Sequence, residues 1–475
     1  MTDMAQQHLE RLSAVDASFL ANETPTSHMH VGAVVIIEGP PPPFEEFLDG
    51  LRARLHLVPR YRQKLAEHPG GRPLWIDDPD FNLEYHVRQT ALPQPGSESQ
   101  LMRLTARIMS QQLDRTKPLW EVWLVEGLAD GGIAMISKTH HALIDGVSGV
   151  DLATVMFDLS PVPADLGEET RGLEPWTPAP EPSATELVVG GVAGLARQSL
   201  GLAAGALGAL TRPQETLAQA REAAEGLGEI VWAGLNPAPE TPLNVEIGPH
   251  RRFVGVRCRL ADFKAVKSAF GGTVNDVVLA VVSGALRQWL RARGVATEGL
   301  EMRALVPVSV RAEHERNQLG NRIAAMRGPL PVYVEDPVAR LEVVREGMDG
   351  LKESKQAVGA EVLAGVQSFA PPTILAQAAR INFSTRLFNL IVTNVPGPQF
   401  PLYVRGREML DVFPVAFLPR GHALAVAIMS YNGGLNFGLL GDYDAMGDLE
   451  SVGEGLRTAL AELVDLAAAR TPAMA

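Results

Sequence analysis

Hydrophobic and polar positions follow two different periods along the first third of the chain. His30–Ile37, Leu119–Val125 and Ile133–Lys138 are short, mostly apolar runs, as is typical of buried strands. Between them, Phe44–Leu57 and Leu101–Leu113 carry apolar residues at helical spacing. This alternation of strand and helix patterns predicts an α/β sandwich.

The second half of the chain has the same mixture of patterns. Thr273 is a predicted N-cap of a long helix that Gly294 ends. Asn432-Gly433-Gly434 separates two strand patterns and predicts a hairpin. The predicted strands are Phe253–Val256, Ala304–Val308, Leu390–Thr393, Ala423–Tyr431 and Leu435–Leu440. The predicted helices are Ala261–Phe270, Thr273–Arg293, Pro337–Lys352 and Leu449–Ala469, with a less clear helical pattern over Val362–Ala379.

A proline-rich stretch and a second break separate the two halves. Ser160–Pro182 contains six prolines and Asn236–Pro242 contains three, so we predict regions 1–160, 161–242 and 243–475. In the middle region, Leu187–Ala196 and Leu200–Leu210 are apolar but too short to span a bilayer. They are interpreted either as buried crossover helices or as helices lying in a membrane interface, and the sequence does not decide between these.

Composition excludes several classes of protein. The 475 residues are 46% hydrophobic and 20% charged, which predicts a globular protein of two or three domains. The formal net charge of −13 argues against a nucleic-acid scaffold. Cys258 is the only cysteine, which excludes an internal disulfide and a multi-cysteine zinc site. We expect an intracellular protein, because the N-terminus has no secretory pattern, and membrane-surface attachment stays open.

Candidate chemistry is concentrated in His140-His141-Ala142-Leu143-Ile144-Asp145-Gly146, at the end of a predicted strand. If both histidines continue the strand, their side chains point to opposite faces. The pair is then a poor metal site, and one histidine for chemistry with one for support is the better interpretation. His141 is the candidate general base, since imidazole titrates near neutral pH. The alternative is two hydrogen-bonded polar residues at a strand end.

The spacing His-His-x-x-x-Asp-Gly resembles the active-site motif of the superfamily that contains chloramphenicol acetyltransferase and peptide-synthetase condensation domains. Nearly the whole chain resembles the bacterial wax ester synthase/diacylglycerol acyltransferase family, and most closely its actinobacterial triacylglycerol synthase branch. Further stretches similar to that family are Leu12–Leu20, Pro25–Gly32, Pro118-Leu119-Trp120-Glu121, Thr273–Val277, Pro307–Arg311, Leu319–Asn321 and Asn394–Pro398.

The resemblance implies a fold and a set of residue roles. The fold is α/β with mixed sheets, in two chloramphenicol-acetyltransferase-like halves around a central substrate tunnel. His141 is the implied general base, supported by His140, Asp145 and Gly146. Asp145 is interpreted as an ion-pair partner that holds the loop, or as a carboxylate that orients His141. Asn275 and Asp276 are interpreted either as helix caps or as substrate-binding residues, and Pro118, Leu119 and Trp120 as a wall of the tunnel.

The implied activity is transfer of a long-chain acyl group from acyl-CoA to diacylglycerol, giving triacylglycerol. The alternatives are wax ester formation from a fatty alcohol, carrier-protein-dependent condensation, and a non-catalytic lipid-droplet protein. No metal or cofactor is expected, because acyl-CoA is a co-substrate. Expected partners are acyl-CoA, the acceptor alcohol and a membrane surface or lipid droplet, and the expected location is cytoplasmic, peripheral to the plasma membrane or droplets. Arg251, Arg252, Arg322 and Arg420 are candidates for binding CoA phosphates.

Overall fold

Within the described residues, ten α-helices and two short 3-10 helices (Leu55–Leu57 and Pro59–Arg62) accompany two large sheets. A computed structural model describes residues 10–67, 73–144, 155–163, 165–183, 236–309, 323–353 and 383–470. Its α-helices in these ranges are α1 (Ala14–Asn22), α2 (Phe44–Arg54), α3 (Leu83–His86), α4 (Glu98–Met109), α5 (His141–Ile144), α6 (Leu166–Glu169), α7 (Leu260–Phe270), α8 (Val274–Ala292), α9 (Pro337–Glu353) and α10 (Leu449–Arg470).

The strands of the described ranges form two six-stranded sheets and one small sheet. They are β1 (Glu10–Arg11), β2 (His30–Ile37), β3 (Gln63–Ala66), β4 (Leu74–Asp77), β5 (Val87–Ala91), β6 (Trp120–Glu126), β7 (Ile133–His140), β8 (Arg251–Val256), β9 (Met302–Ser309), β10 (Ile323–Leu330), β11 (Leu390–Pro396), β12 (Tyr403–Val404), β13 (Arg407–Val415), β14 (Leu424–Tyr431) and β15 (Gly434–Asp442).

Both large sheets are mixed. The first has the order β12-β13-β2-β7-β6-β5 and is antiparallel except for the parallel pair β5–β6. The second has the order β10-β9-β11-β14-β15-β8, with β11 parallel to both of its neighbours. The small sheet is β1-β4-β3. Since β12 and β13 come from the last third of the chain, the first sheet is completed by residues distant in sequence.

The two large sheets meet where β13 packs against β14 and β15. A Cβ atom at Gly438 of β15 would lie 1.7 Å from the backbone oxygen of Pro414 in β13. Only glycine, which has no Cβ, permits this approach of the two backbones. Buried side chains of both sheets therefore form one continuous core.

The long helix α8 is buried along most of its length among α7, α9 and α10. Its capping box is formed by Thr273, whose Oγ1 accepts from the backbone N of Asp276 at 3.2 Å, while Asp276 Oδ2 accepts from the backbone N of Thr273 at 2.7 Å. In the described part of the chain, no single helix is long and apolar enough to cross a membrane. α7 and α8 pass that test only as a pair bent by 101°.

Most local expectations are confirmed. The mixed α/β fold, the strand His30–Ile37 and the helix that starts after Thr273 are present, and Asn432 and Gly433 turn the hairpin with positive φ angles. One expectation is wrong: His141 does not continue the strand but begins α5. The sequence patterns did not predict β1, β3, β4, β5, β10, β12 or β13. The helical patterns at 187–210 and 362–379 lie outside the described residues.

Candidate active site

The two motif histidines stand at the junction of β7 and α5. In the register of β7 on β2, His140 lies opposite His30. The backbone N of His140 donates to Leu119 O at 3.0 Å, and that of His141 donates to Met29 O at 2.9 Å. Neighbouring segments on both sides therefore fix the backbone at the point where the strand ends.

Three phenylalanines surround the side chain of His141, and we call Phe19, Phe383 and Phe417 the aromatic cage. The Phe19 ring stacks on the imidazole with centroids 3.8 Å apart and an interplanar angle of 22°. Phe417 meets the imidazole edge-on, with centroids 5.5 Å apart. Phe383 contacts both of the other phenylalanine rings, at 6.1 and 5.7 Å. Phe19 belongs to α1 and the other two to the last third of the chain, so both halves meet at His141.

These surroundings keep the His141 imidazole neutral. Burial, together with a smaller charge repulsion from the neighbouring His140, lowers its pKa to about 4. Within the described residues, Nδ1 is buried and has no hydrogen-bond partner. A neutral imidazole has a free lone pair at neutral pH, which is the form that a general base requires.

A different set of residues surrounds His140, and we call Glu23, His30, Arg115 and His140 the polar cluster. His140 Nδ1 accepts a hydrogen bond from the backbone N of Ala142 at 3.1 Å. In the neutral ring the proton must therefore sit on Nε2. That atom lies 3.6 Å from Glu23 Oε2, too long for a hydrogen bond but close enough for a charge interaction.

Glu23 is the ionised centre of the polar cluster. Burial would raise the pKa of its carboxyl, but His140 and Arg115 outweigh burial, so the pKa is lowered. Arg115 Nε donates to Glu23 Oε2 at 2.7 Å, and His30 Nε2 lies 4.0 Å from Glu23 Oε1. Burial also lowers the pKa of His30 well below its usual value. Sequence reasoning missed Glu23. The nearest signal was its position just before the Pro25–Gly32 stretch.

The predicted tunnel-wall residues are all buried beside the motif strand. Trp120 Nε1 donates to Tyr61 O at 2.8 Å, and the Trp120 ring stacks on His86 with centroids 4.7 Å apart. Leu119 supplies the carbonyl that accepts from the backbone of His140. These residues, Pro118 among them, therefore lie next to the strand that carries His140, at the start of the neighbouring strand.

The other predicted site residues either make contacts of their own in the described chain or lie outside it. Asp276 closes the capping box of α8, and Asn275 Oδ1 accepts from Asn394 Nδ2 at 3.3 Å. Asp145, Gly146 and Arg322 lie outside the described residues. No group of three or more His, Cys, Asp or Glu side chains in the described ranges could hold a metal ion.

The arginines proposed for CoA differ in their surroundings. Arg251 is buried, and its guanidinium donates to the backbone oxygens of Gly248 and His250 at 2.7 and 2.9 Å. Because these hydrogen bonds to the backbone occupy its guanidinium, Arg251 is poorly placed to bind a CoA phosphate. Arg252 lies over the Tyr443 ring, and the exposed Arg420 is 3.4 Å from Glu246.

Comparisons with known proteins agree with this architecture. The wax ester synthase/diacylglycerol acyltransferase catalytic domain matches residues 12–278, and the C-terminal domain of the same family matches residues 319–464. A probable diacylglycerol O-acyltransferase of Mycobacterium tuberculosis, tgs1, is 35% identical over 468 residues, covering 97% of each chain. A second, tgs2, is 34% identical and covers 94% of this chain and 97% of its own.

Solved structures match over almost the whole chain as well. The wax ester synthase/diacylglycerol acyltransferase from Marinobacter aquaeolei VT8 superposes with a TM-score of 0.67 at 29% identity, covering 96% of this chain and 100% of that one. The first condensation domain of the calcium-dependent antibiotic synthetase has a TM-score of 0.58 at 19% identity, covering 97% and 96%, so it shares the fold. The two-halved fold expected from the sequence is confirmed, and the chain belongs to the wax ester synthase/diacylglycerol acyltransferase family.

Proposed function

We propose that this protein is an acyl-CoA-dependent diacylglycerol O-acyltransferase in which His141 is the general base. The observation that carries the proposal is the stacking of the His141 imidazole inside a cage built from both halves of the chain, and its lowered pKa agrees with a neutral base. The names of the mycobacterial relatives supply the acceptor, diacylglycerol.

The reaction needs one base and no covalent enzyme intermediate, because a thioester is already activated. The acceptor hydroxyl oxygen forms a bond to the thioester carbonyl carbon while His141 takes the hydroxyl proton. The carbon–sulfur bond then breaks, the proton passes from His141 to the sulfur, and CoA leaves as the thiol. General base catalysis contributes about 10²–10⁴-fold, and positioning of the two substrates supplies much of the remainder.

His140 acts on this chemistry through the backbone. Its Nδ1 holds the amide of Ala142 in the first turn of α5, and Glu23 faces its other ring nitrogen. In this proposal Asp145 supports the motif as an ion-pair partner, and Gly146 is a second supporting residue. The aromatic cage suits the apolar chains of both substrates, which enter a tunnel between the halves from opposite sides.

Asn275 and Asp276 are proposed to support the tunnel from the start of α8. Asp276 does so by capping the helix, and Asn275 through its amide contact with Asn394. Asn275→Ala is then expected to raise KM for an acceptor about threefold to tenfold while leaving stability nearly unchanged, since it removes one half-buried hydrogen bond. Thr273→Ala is the matched control, because it weakens the same helix start by about 1 kcal/mol without touching Asn394. Equal KM values in both variants would mean that Asn275 only supports the start of the helix and has no role in acceptor binding.

The acceptor is a membrane lipid, so we propose that the protein works in the cytoplasm, peripherally on the plasma membrane or on lipid droplets. The segment Leu187–Leu210, outside the described residues, is the candidate contact. Flotation with vesicles that contain diacylglycerol tests this, with a variant lacking 187–210 as the comparison. Equal flotation of both proteins in folded form would exclude an interfacial role for that segment.

The acceptor assay tests the function itself. Purified protein is incubated with labelled palmitoyl-CoA and either dioleoylglycerol or hexadecanol, and neutral lipids are separated. Triacylglycerol is the expected main product, and a larger yield of wax ester would replace diacylglycerol by a fatty alcohol as the acceptor. No ester from either alcohol, together with transfer from an acyl carrier protein, would contradict the proposal and favour a condensation-type enzyme.

A further inference from the structure

Three separate segments of the chain contribute rings to the surroundings of one imidazole. Phe19 covers a face of His141 and Phe417 meets its edge. Phe383 closes the set by touching both other rings. Phe19 and Phe417 are each 9% exposed, whereas core phenylalanines such as Phe413 are 0% exposed. The cage therefore lies at the margin of the core, where it covers one face and one edge of the half-buried His141 imidazole.

The position of the cage is fixed by contacts that connect distant parts of the chain. Ser27 Oγ donates to the backbone oxygen of Leu418 at 2.7 Å, a buried hydrogen bond between residues 391 positions apart. This bond holds the residue next to Phe417 against the segment that enters β2. Phe19 is set by α1, whose N-cap Ser13 accepts from the backbone N of Asp16 at 3.0 Å.

Water competes with the acceptor for the same chemistry. If a water oxygen forms the bond to the thioester carbon, the carbon–sulfur bond breaks in the same way, and the products are a free fatty acid and CoA thiol. A base that removes a proton from an alcohol can also remove one from water. Transfer to a lipid alcohol thus requires a site from which water is excluded.

We propose that the aromatic cage of Phe19, Phe383 and Phe417 keeps water from His141 and holds the imidazole plane, so that acyl transfer to an alcohol outcompetes hydrolysis of the thioester. This inference rests on the proposed acyltransferase function, and it assigns the residues that decide whether the acyl group is transferred to the alcohol or to water. The three phenylalanines are positioning and specificity-determining residues, with no proton to give or take. The lowered pKa of His141 agrees with an imidazole that its surroundings desolvate.

The cage makes a prediction that ordinary core packing does not. Shortening an ordinary core phenylalanine lowers the stability of the protein, and all of its activity then falls in proportion to the folded fraction. A cage phenylalanine that is shortened admits water to the base, so the partition between two products changes within each folded molecule. The ratio of free fatty acid to ester does not depend on how much of the protein is folded.

The experiment compares Phe417→Leu and Phe19→Leu with the control Phe263→Leu. Phe263 is fully buried, and it packs against Phe437 and not against His141. Each protein receives labelled palmitoyl-CoA and dioleoylglycerol, and free palmitate, triacylglycerol and CoA thiol are measured in one reaction. The ratio of palmitate to ester is expected to rise about tenfold in the two cage variants and to stay at the wild-type value in the control.

A milder variant keeps the test valid if the first two variants do not fold. Phe383 is half-buried and touches the imidazole only through its neighbours, so Phe383→Leu is expected to raise the same ratio by a smaller factor. An unchanged ratio in every cage variant that still forms ester would overturn the inference and leave the proposed function standing. Wild-type protein that forms no ester from any alcohol would overturn the proposed function instead.

Discussion

His140 and His141 are neighbours in the chain, yet one side chain enters the polar cluster and the other enters the aromatic cage. Around His140, the backbone N of Ala142 donates to Nδ1, and the Glu23 carboxylate faces Nε2 at 3.6 Å. Around His141, the contacts are phenylalanine rings, and Nδ1 has no hydrogen-bond partner within the described residues. The strand ends between the two histidines, and their side chains therefore enter different surroundings. One becomes a fixed support and the other a base with a free lone pair.

The largest effect is expected from removing the imidazole on the cage side. His141→Ala should lower the rate of triacylglycerol formation by about 10²–10⁴-fold, because the alcohol loses its proton acceptor. Thermal unfolding should change little, since no hydrogen bond of the polar cluster is lost. His140→Ala should have the opposite pattern, with a smaller loss of transfer rate and a clear loss of thermal stability. Full turnover by His141→Ala would show that the general-base assignment is wrong.

The polar cluster is tested through its buried carboxylate. Glu23→Gln should lower the free energy of unfolding by about 1–3 kcal/mol, because it removes a charged hydrogen-bond partner from a site that is almost inaccessible to water. The kcat of transfer should fall while KM for palmitoyl-CoA stays, since Glu23 acts through His140. Urea unfolding and steady-state kinetics measure the two effects. Glu246→Gln is the control, because that side chain is exposed and contacts Arg420 only weakly.

The two regions also differ in how far local sequence predicts them. The strand His30–Ile37 and the helix after Thr273 are encoded by contiguous patterns and a capping residue, and both were predicted. β13 could not be, because its place beside β2 depends on pairing with a strand hundreds of residues earlier. His141 was found through its motif, but Phe383 and Phe417 carry no local signal, and Glu23 has only its position just before the Pro25–Gly32 stretch. Their roles arise only when segments distant in sequence pack together.

The pH dependence of stability and of the transfer rate should show whether the His141 imidazole titrates as an ordinary or as a buried one. Burial lowers the pKa of His141 to about 4 from a usual value of 6.5. The unfolded chain then binds a proton on this imidazole that the folded protein does not, so the free energy of unfolding should fall as pH drops from 6.5 towards 4 and be independent of this group above 6.5. The rate of transfer should stay level between about pH 7 and about pH 5.5, because the base is still neutral there.

Circular dichroism must show a folded protein over that range. A rate that falls with an apparent pKa near 6.5 would mean that water reaches the imidazole and that the contrast between the two regions is smaller than the structure indicates. Phe417→Leu provides the matched comparison, since opening the cage should move the acid limb of the rate profile to higher pH.

The smallest effect is expected at the exposed edge of the polar cluster. Arg115 is about half exposed, with a side-chain accessibility of 49%, and it contacts Glu23 and the backbone oxygen of Leu20. Exposed ion pairs contribute about 0–1 kcal/mol, so Arg115→Gln should change stability little at neutral pH. It should, however, raise the pKa of Glu23, because one of the two groups that lower that pKa is removed.

The consequence of Arg115→Gln should therefore depend on pH. As pH falls, Glu23 becomes protonated earlier than in the wild-type protein, and its charge no longer faces His140. Stability and kcat should then decline at a higher pH than in the wild type, while the ratio of palmitate to ester stays constant, because the aromatic cage is untouched. A change in that ratio would mean that the polar cluster and the cage do not act independently.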